Sequence, residues 1–160
     1  MPTRPIPDVE SLVDFLRATP LFESLTDAEL AEFVFVAELV PFERAHVLVR
    51  EGDAGDAWFL LMEGEARVET KGRVLKRLAR GECFGELAVL DGEPRTASVV
   101  ADSDGLLVRV SWRAFEALLS SGSLAAHKLV LSLTRLLARR MRVLLRDSPA
   151  YTLEFDGAAR

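Results

Sequence analysis

The sequence holds a single cysteine, Cys83, which excludes an internal disulfide and makes a reducing cytoplasm the default setting. No apolar run reaches the ~18 residues that a bilayer-spanning helix needs, and no basic segment followed by an apolar stretch opens the chain. A soluble cytoplasmic protein without a membrane partner is expected. Positive charge is not in excess: 20 Lys and Arg face 25 Asp and Glu, a net charge of −5. That balance disfavours whole-surface binding to nucleic acid, although it leaves room for a local basic patch. The two histidines, His46 and His127, have no Cys, His or carboxylate at ligand spacing, so no metal site is expected. A Gly-rich loop ending in Lys-Ser/Thr is missing, which speaks against a triphosphate held with magnesium. Internal repeats and low-complexity tracts are missing too. With neither metal cluster nor base to activate water, the chain is read as no enzyme. Cys83 is read as a small buried hydrophobe.

What is present suits one globular domain: 160 residues, 49% apolar and 28% charged, long enough to bury roughly 70% of the unfolded surface. After Asp8, the residues Leu12, Val13, Phe15 and Leu16 recur at helical spacing and stop before Pro20. Thr26 with Glu29 makes a capping box that predicts a second helix through about Ala37. From Glu38 to Arg80 the pattern turns to short extended runs, such as 47–49, 58–62 and 74–78, punctuated by Gly52, Gly55, Gly64, Gly72 and Gly81. Residues 96–101 and 106–110 read as two more strands. Ser111 then caps a helix from Trp112 to about Leu119, and Ser121-Gly122 breaks it from a final helix ending near Arg146. The expected fold is mainly β with flanking helices: an N-terminal helical segment over 1–37, an antiparallel β-roll over 38–111, C-terminal helices over 112–147 and a tail over 148–160.

Residues 84–100, FGELAVLDGEPRTASVV, interrupt that roll with one short helix. Gly85 permits a tight turn, and the helix that begins at Glu86 ends at Asp91-Gly92, so its first amides are unpaired. Those amides and the positive helix end favour an anion at Gly85 to Ala88, where the small Ala88 allows close approach. Arg95, set by the Pro94 turn, adds a charge-assisted contact to a phosphate oxygen. Glu86 repels phosphate but accepts from a hydroxyl. An anion beside a sugar hydroxyl describes a nucleotide. Taken singly, a Gly-Glu pair reads as a solvated turn and an arginine after proline as a surface residue; as a pair, Glu86 and Arg95 also read as a surface ion pair that holds the loop. Removal of Arg95 is expected to spare the ligand-free fold.

The same string resembles the phosphate-binding cassette, here 84–99, of cyclic nucleotide-binding domains in catabolite-activator-type bacterial regulators, kinase regulatory subunits and gated channels. The shared pattern is Phe-Gly-Glu-Leu-Ala, a short loop, then Pro-Arg-Thr/Ala-Ala, and REGDAGDAWFLLMEGEARV at 50–68 is similar to the family's glycine-punctuated roll. The likeness extends over about 140 residues. It implies a jelly-roll-like β-roll and a cyclic nucleotide, cAMP or cGMP, as ligand, with no other cofactor. By the same resemblance Gly85, Glu86, Leu87 and Ala88 frame phosphate and ribose, Glu86 takes the 2′-hydroxyl, Arg95 neutralises the phosphate, and Thr96 adds a polar contact. Val68 and Leu75 are wall residues for the base, with Leu144 as an apolar lid and Tyr151 or Arg142 stacking on it. Leu144 and Leu145 stand where the regulators carry polar adenine contacts. Thr96 resembles the threonine of cGMP-responsive members, which also occurs in cAMP binders; the regulator-like final helix tilts the expectation to cAMP.

That final helix carries an apolar stripe of Val130, Leu133, Leu137, Met141 and Leu144, widened by Leu129, Leu136 and Val143. It is expected either to pair in a parallel homodimer through 123–146, as in the similar regulators, or to pack on its own domain alone. Arg135, Arg139, Arg140, Arg142 and Arg146 make it basic, read as a solvated flank rather than a nucleic-acid or membrane surface. The sequence ends about fourteen residues beyond it, too few for a helix-turn-helix, so direct DNA binding is not expected. The expected function is a stand-alone sensor whose ligand shifts the final helix and thereby signals to an effector protein. Two alternatives stay open: an interaction module with an empty pocket, and a regulatory fragment of a larger protein.

Overall fold

A computed structural model of the chain describes residues 7–148. Helix α1 (Val9–Ala18) starts where the Asp8 carboxylate accepts from the Ser11 amide at 2.8 Å, and it buries Leu12, Phe15 and Leu16. A single 3-10 turn, Pro20–Phe22, leads to α2 (Asp27–Val34), whose Thr26/Glu29 capping box is formed in both directions. Helix α2 ends three residues before the expected Ala37. Ala37 opens strand β1 (Ala37–Phe42) instead, paired with Val110, so strand pairing overrides the apolar helical spacing that runs on past Val34.

The roll is two four-stranded antiparallel sheets. After β1 come β2 (Val47–Val49), β3 (Ala57–Glu63), β4 (Ala66–Thr70), β5 (Arg73–Leu78), β6 (Cys83–Phe84), β7 (Ser98–Ala101) and β8 (Gly105–Ser111). The first sheet has the order β1-β8-β3-β6 and the second β2-β7-β4-β5. Strand β3 explains the layering. Its run AWFLLM is buried throughout, because alternate residues serve two cores. Trp58, Leu60 and Met62 pack with Phe15, Phe22, Phe33 and Phe115 on the helical side, whereas Ala57, Phe59 and Leu61 pack with Val49, Leu78, Val99 and Leu107 between the sheets. The expected strand at 96–101 starts two residues later, at Ser98.

Short helix α3 (Glu86–Asp91) links β6 to the loop before β7; α4 (Trp112–Ser120) and α5 (Leu124–Arg146) follow the roll, capped by Ser111 and Ser123. The first half of α5 is anchored. Leu129 and Leu133 are fully buried, and Lys128 donates to both carboxylate oxygens of Glu29 at 2.9 and 2.8 Å. Its second half is different: Met141, Val143 and Leu144 stay more than half exposed. The expected stripe therefore divides into a packed part and a free part. Among the described residues, no helix is long and apolar enough to cross a membrane.

Candidate functional site

The turn at Gly85 sets the site. Phe84 stacks on Phe59 with centroids 5.2 Å apart, fixing β6 against β3, and Gly85 then adopts φ 80°, a left-handed conformation that glycine takes without strain. A Cβ at Gly85 would also lie 2.8 Å from the Arg95 guanidinium. The chain reverses into α3 and opens a cavity of about 600 Å³, within the usual range of small-molecule pockets. The segment around α3 lines it with Gly85, Glu86, Leu87, Ala88, Arg95, Thr96 and Ala97, and β2, β4, β5, β7 and α5 line it with Val49, Val68, Leu75, Leu78, Val99, Val143 and Leu144.

Arg95 is only 7% exposed. Its Nη1 donates to the Gly85 carbonyl at 2.6 Å and its Nη2 to the Ala57 carbonyl at 2.7 Å, with the guanidinium 5.8 Å from the Phe59 ring centroid. Burial lowers its pKa, opposed by the charges of Asp56, Glu86 and Asp53. This arginine is a structural strut, so the expectation that its removal spares the ligand-free fold is corrected: it donates to one buried and one half-buried carbonyl. The loop before β3 holds the same region from the other side, since the Arg95 amide donates to the Asp53 carbonyl at 2.8 Å and the Gly52 amide to the Arg95 carbonyl at 2.9 Å. Gly55 sits in that loop with no room for a side chain; a Cβ there would be 2.5 Å from Ala88 Cβ and 3.1 Å from Arg95 Cζ. Gly55→Ala is therefore expected to push α3 and Arg95 apart, costing about 1–3 kcal/mol of stability as an overpacked site. Thermal unfolding checks it, and an unchanged melting temperature would contradict the packing.

Glu86 does not pair with Arg95, which overturns the surface ion pair. It is 3% exposed, and its Oε1 pairs with Nη1 of Arg140, reaching in from α5; Arg140 Nη2 also donates to the Cys83 carbonyl at 2.9 Å. Cys83 Sγ lies 3.9 Å from Glu86 Oε2. Burial, then the Glu86 charge, push its thiol well above the ordinary range, so it stays protonated and unreactive. Thr96 is exposed at the rim.

Gly85, Glu86, Leu87, Ala88, Arg95 and Thr96 thus line one cavity with Val68, Leu75 and Leu144. Arg142 does not join them: it is exposed and faces away, and Arg140 is the arginine that enters. Tyr151 lies outside the described residues. Arg140 was not singled out by the sequence, although its position, seven residues after Leu133 and four after Leu136, puts it on the packed face of α5. Among the described residues no group of His, Cys, Asp and Glu is arranged to hold a metal ion.

A family profile described as "Cyclic nucleotide-binding domain" matches residues 39–121, about half of the chain. The cAMP-dependent protein kinase regulatory subunit of Mycosarcoma maydis is 39% identical over 124 residues, 71% of this chain and 24% of that protein. The cGMP-dependent protein kinase, isozyme 1, of Drosophila melanogaster is 36% identical over 105 residues, 61% of this chain and 14% of that protein. The chain spans about a quarter or less of the length of these curated relatives. The regulatory domain of Toxoplasma gondii PKA, solved with cAMP, superposes with a TM-score of 0.64 at 30% identity, over 74% of this chain and 48% of that one.

Proposed function

The chain belongs to the cyclic nucleotide-binding domain family, and from that premise we propose that it is a cyclic nucleotide sensor that prefers cAMP to cGMP and answers its ligand by moving α5. The observation that carries this reading is a single cavity lined both by Arg95 and Glu86 and by apolar side chains from the strands and α5. Arg95 neutralises the cyclic phosphate beside Gly85 and Ala88, Glu86 accepts from the ribose 2′-hydroxyl, and Thr96 adds a contact at the rim. The base lies among Val68, Leu75, Val143 and Leu144. Those walls favour adenine, because guanine adds a carbonyl and a ring N–H to the single amino group that both bases carry, and the four apolar side chains offer them no partner.

Arg140 supplies the route to α5. It neutralises Glu86, which would otherwise repel the ligand phosphate, so ligand contact at the carboxylate is felt by the helix carrying Arg140. The energy of the shift is the difference in ligand affinity between two placements of α5. A homodimer through 123–146 buries the exposed Leu124, Leu131 and Met141, and an effector protein reads the rearranged surface. The module acts by binding, with no reaction of its own.

Calorimetric titration with cAMP, cGMP and 5′-AMP tests the reading. The expected result is micromolar or tighter cAMP binding, cGMP weaker by about 10-fold, and 5′-AMP weaker by about 100-fold or more. Absence of binding at millimolar cAMP would leave a protein-interaction module on the same roll.

A further inference from the structure

A second cavity, of about 470 Å³, lies on the far side of Arg140, between α5, the turn at residues 20–24 and the segment at 76–83. Lys76, Cys83 and Arg140 line both cavities, so they form the wall between them. The second one is more polar than the first. Its charged lining is Glu23, Glu82, Lys76, Arg135, Arg139 and Arg140, with the hydroxyls of Ser24 and Ser132 beside them.

These charges are not all paired. Lys76 Nζ binds Glu82 at 2.5 Å, and the other Glu82 oxygen accepts from the Ala79 amide at 2.8 Å, so that pair is closed. Arg140 is committed to Glu86 and the Cys83 carbonyl. Arg135 and Arg139 form no ion pair or hydrogen bond among the described residues, and Glu23, exposed at the rim, bonds to neither. Two arginines one turn apart on a helix have Cβ atoms about 5–6 Å apart and like charges on one face, a destabilising arrangement. A doubly charged anion between them relieves that repulsion and takes forked hydrogen bonds from both.

We propose that this cleft is a second ligand site, for a compact polyanion, and that its occupation weakens cyclic nucleotide binding. The polyanion draws Arg140 toward Arg135 and Arg139. Glu86 is then left buried without its counter-charge, facing the ligand phosphate in the first cavity. Reciprocity follows, so the cyclic nucleotide weakens the polyanion by the same factor. The coupling rests on the proposed role of Glu86, whereas occupancy of the cleft does not.

The test uses pyrophosphate as probe with the full chain at constant ionic strength. Titration into cAMP-saturated protein is expected to show one site, weakened by about 10-fold or more in the Arg135→Gln/Arg139→Gln double variant, by the usual worth of charge-assisted contacts. Saturating pyrophosphate is expected to raise the cAMP dissociation constant about 5-fold or more, within the usual span of coupling between sites. In the double variant that effect disappears, while cAMP affinity without pyrophosphate stays within about 2-fold of the parent, since neither arginine lines the nucleotide cavity. Competition at Arg95 itself would persist in the double variant, and that result overturns the proposal, as does an unchanged pyrophosphate affinity. Failure of cAMP to bind in the absence of pyrophosphate is a separate outcome, and it removes the nucleotide reading and the coupling but not the cleft.

Discussion

Arg95→Ala is expected to weaken cAMP binding by roughly 100-fold or more and to lower the melting temperature of the ligand-free protein at the same time. Both effects follow from one guanidinium. Each hydrogen bond to a charged group contributes about 1.5–3 kcal/mol, so loss of two to a phosphate removes at least two decades of affinity. The cost without ligand arises because Gly85 and Ala57 carbonyls lose their donors, and Ala57 is fully buried. An unsatisfied buried acceptor costs about 1–3 kcal/mol. Arg95→Lys separates the two contributions: it keeps the charge but not the planar fork that reaches two carbonyls, so part of the affinity returns while the stability deficit remains. Calorimetry gives the first quantity and thermal unfolding without nucleotide the second. An unchanged cAMP affinity in Arg95→Ala would end the phosphate role.

The cassette was legible in the sequence because its parts are contiguous: the Gly85 turn, the small Ala88, and Arg95 placed by Pro94 are local chemistry within one loop and one short helix. The roll was legible for a similar reason, since short extended runs punctuated by glycine mark strands and turns. Contacts between distant segments were not. Arg140 meets Glu86 across 54 residues, and Arg95 meets Ala57 across 38, and no periodicity encodes either meeting. The basic residues of the last helix looked equivalent as a string; only the packing of Leu129 and Leu133 fixes the rotation that turns Arg140 inward and leaves Arg135, Arg139, Arg142 and Arg146 outside. The end of α2 was missed by the same cause, because Ala37 answers to Val110 on β8 rather than to its neighbours in sequence.

That inward arginine decides how a change at Glu86 has to be interpreted. Glu86→Gln keeps the shape and an acceptor oxygen but removes the charge, which alters two things at once: the strength of a hydrogen bond from the ribose 2′-hydroxyl and the hold on Arg140. The two are separable with 2′-deoxy-cAMP, which lacks the hydroxyl. A hydrogen bond to a charged acceptor corresponds to about 10- to 100-fold, so the unaltered protein is expected to prefer cAMP over its 2′-deoxy analogue by that factor. In Glu86→Gln the preference is expected to shrink to about 3-fold, with cAMP losing most of its affinity and the deoxy ligand little, since a neutral pair contributes about 1 kcal/mol or less. Arg140→Gln behaves differently. It leaves Glu86 buried and uncompensated beside the phosphate, so both ligands weaken together and the preference between them survives. If Glu86→Gln also weakened both ligands equally, the carboxylate would act only by holding Arg140, and the sugar would have to be recognised elsewhere in the cavity.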